Sequence, residues 1–477
     1  MHTLRWSVVA VVLAAAVAGC AEPEWGDSLP QRRPLGAELA TFRPSGENAS
    51  PLPPHAPDAS AVQPTGNLTL RDAARLALLH SPDLASFAWS VRQAEAEQLQ
   101  ASLRPNPELE AEVENFAGTG EFSGTGALET TVVLSQLVEL GGKRSRRTRL
   151  AELDSRLAGW DYEARRLEVL TTVSQRYAEV VAAQRRLELT GENLRLATEA
   201  AATVRQRVAA GKSAPAEAMK ASVEAATAEI DQRNAERALA SARRQLAATW
   251  GADEARFAAA VGMLTDPQRL PALAELEPLL AQNPQIARWG TELDQRQATV
   301  DLAKAQAIPD VTVGVGYRNF QETEDNDHAM LVTASIPLPL FDRNQGGIAA
   351  ARAALSRGQV ERQAARTDLH AALADAYALL ASAHDELMTL QNTVLPLASQ
   401  AYDAAAAAFA EGKSGYLDML DAQRTLVEAR AQEVEALARY HQSRVAVEAL
   451  IGQSIETIGD ATPEGDGNAH QEECSHE

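Results

Sequence analysis

Four glutamates stand at alternate positions in one short stretch: Glu108, Glu110, Glu112 and Glu114, with Leu109, Ala111 and Val113 between them. A spacing of two puts the carboxylates on one face of a strand and the apolar residues on the other. Such a row selects cations or merely wets a face, and the residues alone leave both readings open. Near the end of the sequence, His470-Gln-Glu-Glu-Cys474-Ser-His476 offers two imidazoles and a thiolate, a set suited to a soft or borderline metal. A polar tail with incidental histidines is the plainer alternative. Gly-Lys-Ser occurs twice, at 211–213 and 412–414. A phosphate loop needs a further glycine five positions earlier, where Gln206 and Ala407 stand, so neither copy is a nucleotide site. No catalytic constellation is gathered in a compact domain, and neither an enzyme nor a cofactor is expected.

The elements that must position these residues repeat. The Glu108–Glu114 stretch has a counterpart in which Val311, Val313, Val315 and Tyr317 oppose Thr312, Gly314, Gly316 and Arg318. Each is followed by a polar turn and a second apolar run, which predicts hairpins over 107–140 and 309–341. The rest reads as helix. Leu150, Leu153, Leu157, Trp160 and Leu167 form a coiled-coil-like seam in a helix from about 144 to 189, on the order of 70 Å long. Turns are expected at 190–193 and 391–396, with Pro215 kinking the following helix locally. Gly211-Lys-Ser precedes Gly251, and Gly412-Lys-Ser precedes Gly452, in the same order and spacing; Pro82 and Pro284, and Tyr177 and Tyr377, also correspond. This is a tandem repeat of a helix–hairpin–helix–helix unit, over 67–265 and 266–453. A polar tail, 454–477, follows.

The 477 residues carry a formal charge of −21, which argues against a nucleic-acid partner, and two cysteines provide no disulfide framework. His2 and Arg5 precede an apolar run, Val8 to Ala18, too short to span a bilayer, so residues 1–19 read as a signal peptide. Val-Ala-Gly-Cys20 resembles a bacterial lipoprotein box, which makes Cys20 the expected site of lipidation. The proline-rich stretch over 20–66 reads as an extended, lipid-anchored arm. Strands of this length with one apolar face suit an outer-membrane barrel. Four strands leave open edges that lipid does not tolerate, whereas three chains supply twelve and can close. A soluble sheet in a periplasmic coiled-coil scaffold is the reading from another class.

The paired hairpins, Leu187-Glu-Leu-Thr-Gly-Glu-Asn-Leu-Arg-Leu-Ala197, and Gly412-Lys-Ser-Gly-Tyr-Leu-Asp-Met-Leu-Asp-Ala-Gln423 resemble outer-membrane efflux factors of the TolC family. Pro337-Leu-Pro-Leu-Phe-Asp-Arg-Asn-Gln-Gly346 is similar to the branch serving heavy-metal efflux. The resemblance implies a mainly α fold with a membrane β-barrel: a homotrimer, twelve strands in outer-membrane lipid, and a long periplasmic α-helical barrel. It implies a passive duct for metal cations, served by a periplasmic adaptor and a proton-driven inner-membrane pump of the RND type. Drug or solvent efflux and type I secretion use similar ducts. Under the resemblance, Glu108, Glu110, Glu112 and Glu114 face the lumen, and Asp403 forms a constricting carboxylate ring. Asp418 and Asp421 are read as exposed or paired helix residues. Thr190, Gly191, Glu192, Asn193, Asn392 and Thr393 are the expected docking tips for the adaptor.

Overall fold

The computed structural model describes residues 28–44, 63–262, 269–321 and 326–459. Cys20 and the tail residues His470, Cys474 and His476 lie outside them. The chain divides into two units, one formed by 1–30, 89–159 and 290–360 and the other by 31–88, 160–289 and 361–477.

The first unit holds a four-stranded antiparallel sheet in the order β1-β2-β3-β4, with β1 Glu108–Glu114, β2 Glu129–Val138, β3 Val311–Gln321 and β4 Asn326–Ser335. The two hairpins read from the sequence therefore join through β2 and β3. The register pairs Leu109 with Leu134, Leu134 with Val315, and Val315 with Val332. Tyr317 likewise falls between Val132 and Met330. Over these two rows the face is apolar from edge to edge, and it is exposed: Leu109 is 73% accessible, Met330 and Val332 81%. Thr130, Asn319 and His328 make the next row of that face polar.

The other face is close-packed at its centre because β3 carries glycines there. A Cβ built on Gly316 would stand 2.8 Å from the Val132 carbonyl oxygen and 2.9 Å from a Val133 methyl. Gly316→Val should therefore push β2 from β3 and cost about 1–3 kcal/mol. Gly346, whose Cβ would meet nothing within 4 Å, supplies the control Gly346→Ala. The heat needed to unfold each variant in detergent checks this, and equal melting of Gly316→Val and the unsubstituted chain would refute it.

Helices flank the strands in chain order. These are α1 Leu70–His80 and α2 Pro82–Ser102 before β1, and α3 Lys143–Ala209 and α4 Pro215–Ala248 after β2. In the second half come α5 Pro284–Gln306, α6 Gln345–Thr389, α7 Leu395–Ala410 and α8 Tyr416–Ile451. Pro82 and Pro284 each open a helix, where a missing N–H costs nothing. In the second unit α3 runs antiparallel to α4, since Arg176 bonds Gln245 while Ala201 and Val204 pack with Ala221. The corresponding tyrosines do the same work: the Tyr177 hydroxyl lies 2.7 Å from the carbonyls of Leu68 and Val261, and Tyr377 donates to Pro271 at 2.9 Å.

The expected turns at 190–193 and 391–396 are not turns. Residues 190–193 lie inside α3, a single helix of 67 residues. A lone Gly191 costs a helix about 1 kcal/mol, too little to stop it without a left-handed cap or a proline. Asn392 and Thr393 lie in a π-helical turn, Leu390–Val394, that continues into α7. Leu395 N–H bonds Leu390 there, and the widened turn accommodates Pro396, which would otherwise crowd the carbonyl four residues back.

The reversals come one step later, at the Gly-Lys-Ser copies. Gly211 and Gly412 have φ of +70° and +75°. Lys212 N–H bonds Arg207 and Gly211 N–H bonds Val208; Lys413 and Gly412 repeat the pattern on Ala408 and Phe409. This paired six-to-one and five-to-two arrangement ends a helix through a left-handed glycine. Pro215 then starts α4 at its first position and does not kink it.

The arm is not a free spacer where it is described. Arg166 is fully buried and spends all five N–H donors: two on Glu163 at 2.8 Å each, and three on the carbonyls of Arg33, Leu35 and Gly36. Glu163 in turn accepts from Arg33 N–H at 2.7 Å, and Leu35 N–H bonds Gly452.

Candidate functional site

In the first unit, the register assigns the glutamates to the face opposite the apolar band. Glu108, Glu110, Glu112 and Glu114 pair with Ser135, Val133, Thr131 and Glu129. Glu108, Glu110 and Glu112 are exposed. The face is not uniformly acidic. Arg318 on β3 pairs with Thr131, donates to its hydroxyl at 2.9 Å, and lies 3.4 Å from Glu129 and 3.9 Å from Glu114. Partial exposure makes these ion pairs worth little individually. They neutralise one end of the row and leave Glu108, Glu110 and Glu112 as its negative part.

The second unit brings the two Gly-Lys-Ser turns together. Ala201, Val204 and Ala221 from the first helical hairpin share one buried cluster with Phe409, Tyr416 and Leu420 from the second. The Arg207 guanidinium lies 4.5 Å over the Phe409 ring and donates to the Phe409 carbonyl. Tyr416 meets Phe409 edge-on, and burial, followed by nearby Glu224, pushes the Tyr416 hydroxyl above its ordinary pKa. Lys212 and Lys413 stand exposed on the turns.

Asp403 is exposed on α7, where the sequence placed it on a helix face. After the reversal at 411–415, the first carboxylates on α8 are Asp418 and Asp421, both exposed. Asp418 accepts from Gly415 N–H at 3.2 Å and so caps the helix. The spacing Gly412-Lys-Ser-Gly-Tyr-Leu-Asp418 is visible in the sequence; its place beside the turn is not, because composition puts the turn at 391–396. Thr190–Asn193 instead join α3 to α8: Glu192 pairs with Arg430 at 3.2 Å, and Gln423 donates to Asn193.

Among the described residues no group of three or more His, Cys, Asp or Glu could hold a metal ion. No described helix is long and apolar enough to cross a membrane, which says nothing of a barrel.

A family model described as outer membrane efflux protein matches residues 73–252 and 276–453. The chain is 35% identical over 425 residues to the cobalt-zinc-cadmium resistance protein CzcC of Cupriavidus metallidurans, covering 88% of this chain and 99% of that one. It is 35% identical over 293 residues to the nickel and cobalt resistance protein CnrC of the same organism, covering 60% and 69%. Among solved structures it is similar to CusC, with a TM-score of 0.70 at 19% identity, covering 87% of this chain and 100% of that one. The outer membrane protein VceC of Vibrio cholerae has a TM-score of 0.66 at 20% identity, with 81% and 96% covered. At those identities the structures speak for the fold alone.

Proposed function

Because this chain belongs to the outer membrane efflux protein family, we propose that it is the outer-membrane exit duct of a tripartite system expelling heavy-metal cations. The observation that carries this reading is the sheet: two free edges, an exposed apolar face, and a row of carboxylates on the face behind it. Such a sheet is stable in lipid only when its edges are paired. Three copies supply twelve strands and close a barrel with the glutamates inside, each copy anchored through lipid on Cys20. The names of the similar resistance proteins favour metal cations over drugs or secreted proteins as cargo.

The duct is passive. An inner-membrane pump of the RND type, driven by protons, supplies the energy, and a periplasmic adaptor joins pump to duct. The adaptor docks at the reversals, Gly211 to Ala214 and Gly412 to Gly415, where the backbone turns and Lys212 and Lys413 are exposed, the latter paired with Glu411. Asp403, Asp418 and Asp421 form the carboxylate ring that narrows the duct near those turns, where like charges in three copies attract cations.

Conductance of the detergent-extracted protein in planar bilayers tests this, with and without millimolar zinc. Cation-selective openings are expected, and zinc should block them. Replacing Asp403, Asp418 and Asp421 together by alanine should weaken the block about tenfold, equivalent to about 1.4 kcal/mol of binding. A conducting protein whose block ignores all three would keep the duct and discard the ring. No conductance from folded, membrane-extracted protein would favour a periplasmic scaffold.

A further inference from the structure

The loop that follows β4 presents an unusual surface. Phe341 is 91% accessible, the highest value among the large apolar side chains described, and Leu338 and Leu340 beside it are also exposed. The loop is nevertheless held firmly. Arg343 donates to the Pro339 carbonyl at 3.0 Å, Gln345 donates to the Phe341 carbonyl at 3.1 Å, and Asn344 donates to Ala303 at 2.8 Å. An ordered backbone that holds apolar side chains clear of their own chain is preorganised for a contact that a single copy does not make.

The opposite edge of the same unit carries a recess of about 480 Å³, lined by Glu97, Gln100, Ala101, Leu103, Arg104, Pro105 and Arg147. It is rigid too. Arg147 donates to the carbonyls of Ala101 and Leu103 and pairs with Glu139, while Gln136 donates to Pro105. A cavity of about 150 Å³ already accepts a benzene ring, so a phenyl side chain fits with room for its neighbours.

The topology brings these two features together between copies. β1 and β4 are the two edges, and the strands alternate in direction. Closing a ring pairs β4 of one copy antiparallel with β1 of the next. The chain leaving β4, 336–341, then runs beside the chain entering β1, 103–107. We propose that Leu338, Leu340 and Phe341 of one copy seat in the recess beside Leu103 of the next, with Asp342 facing Arg104. The proposal rests on the ring of copies argued above, and it names the contact that locks the ring below the strands.

Disulfide trapping of the full chain in detergent tests it, in a Cys474→Ser background. Phe341→Cys is combined with Leu103→Cys, and Leu338→Cys with Pro105→Cys as a second pair should one variant fold poorly. Within one copy these positions flank three strand spacings, about 14 Å, too far for an internal bridge. Mild oxidation of a double variant should give covalent dimers and trimers on a denaturing gel, while the single variants stay monomeric. Native mass measured on the unsubstituted protein separates the two ideas. A trimer in which neither pair cross-links would overturn the contact and leave the ring standing. Ladders as strong in the single variants as in the doubles would overturn it as well, since they mark random collision. An unsubstituted protein that is monomeric throughout would overturn the ring and the contact together.

Discussion

Arg166→Ala is expected to cost about 3–5 kcal/mol, because it leaves Glu163 buried without the guanidinium that bonds both its oxygens. The guanidinium is 0% accessible, Glu163 1%, and three carbonyls of the arm lose their donor in the same step. The damage should therefore extend beyond global stability. Residues 33–36 should detach and become accessible to protease while the helices remain folded. Arg166→Lys should recover only part, since an ammonium has three donors and no planar fork to meet two oxygens and three carbonyls at once. Thermal unfolding followed by circular dichroism, with limited proteolysis at 20 °C below the midpoint, reads both effects. An Arg166→Ala protein that melts like the unsubstituted chain, with its arm protected, would show that the cluster contributes nothing.

The second large effect depends on pH. His441 on α8 is 0% accessible, and neither ring nitrogen has a hydrogen-bond partner. Burial first, and the Arg444 charge second, lower its pKa from 6.5 to about 4. The unfolded chain therefore binds a proton near pH 6.5 that the folded chain refuses until about pH 4. Stability owed to this residue is intact above pH 6.5 and falls between there and pH 4 by about 3 kcal/mol. Glu448, two turns along, works in the opposite sense: burial raises its pKa, so it favours the fold at low pH and costs stability as pH rises through its folded value. The difference between the unsubstituted chain and His441→Leu isolates the histidine. The variant should match or exceed the original at pH 7.5, since no hydrogen bond is lost, and should gain on it steadily down to pH 4. Parallel melting curves at all pH values would refute the assignment.

Much of the architecture was legible because it rests on local periodicity. Alternation at Leu109–Val113 and Val311–Tyr317 located two of the strands, and the recurrence of Gly-Lys-Ser before a terminal glycine exposed the repeat. The turns were misplaced for a reason that is also local. Gly191 and Pro396 are breakers by composition, yet α3 absorbs the first at small cost and a π-helical turn absorbs the second. Gly211 succeeds because its left-handed cap is followed by a proline at a helix start. Gly412 succeeds through the same pair of backbone hydrogen bonds without a proline, which no residue type announces. The clasp on the arm was invisible for another reason. Arg166 and Glu163 find Arg33 and Leu35 some 130 positions away, and nothing in either stretch marks a buried charge in advance. Arg318 was seen on the polar face, but only the register brings it to Glu114 and Glu129.

The two open edges of the sheet also bear on heredity. If three copies close the proposed barrel, a lone copy has nowhere to satisfy the outer backbone groups of β1 and β4 and cannot enter lipid ahead of its companions. Assembly and insertion are then one event, and its yield falls steeply when synthesis is slow. A copy sound at one edge and faulty at the other would still be recruited, and would stall every ring it joined. With equal amounts of sound and faulty chains, only about one ring of three in eight escapes. Lesions at an edge should accordingly be dominant, whereas lesions that keep the chain from folding at all should be recessive.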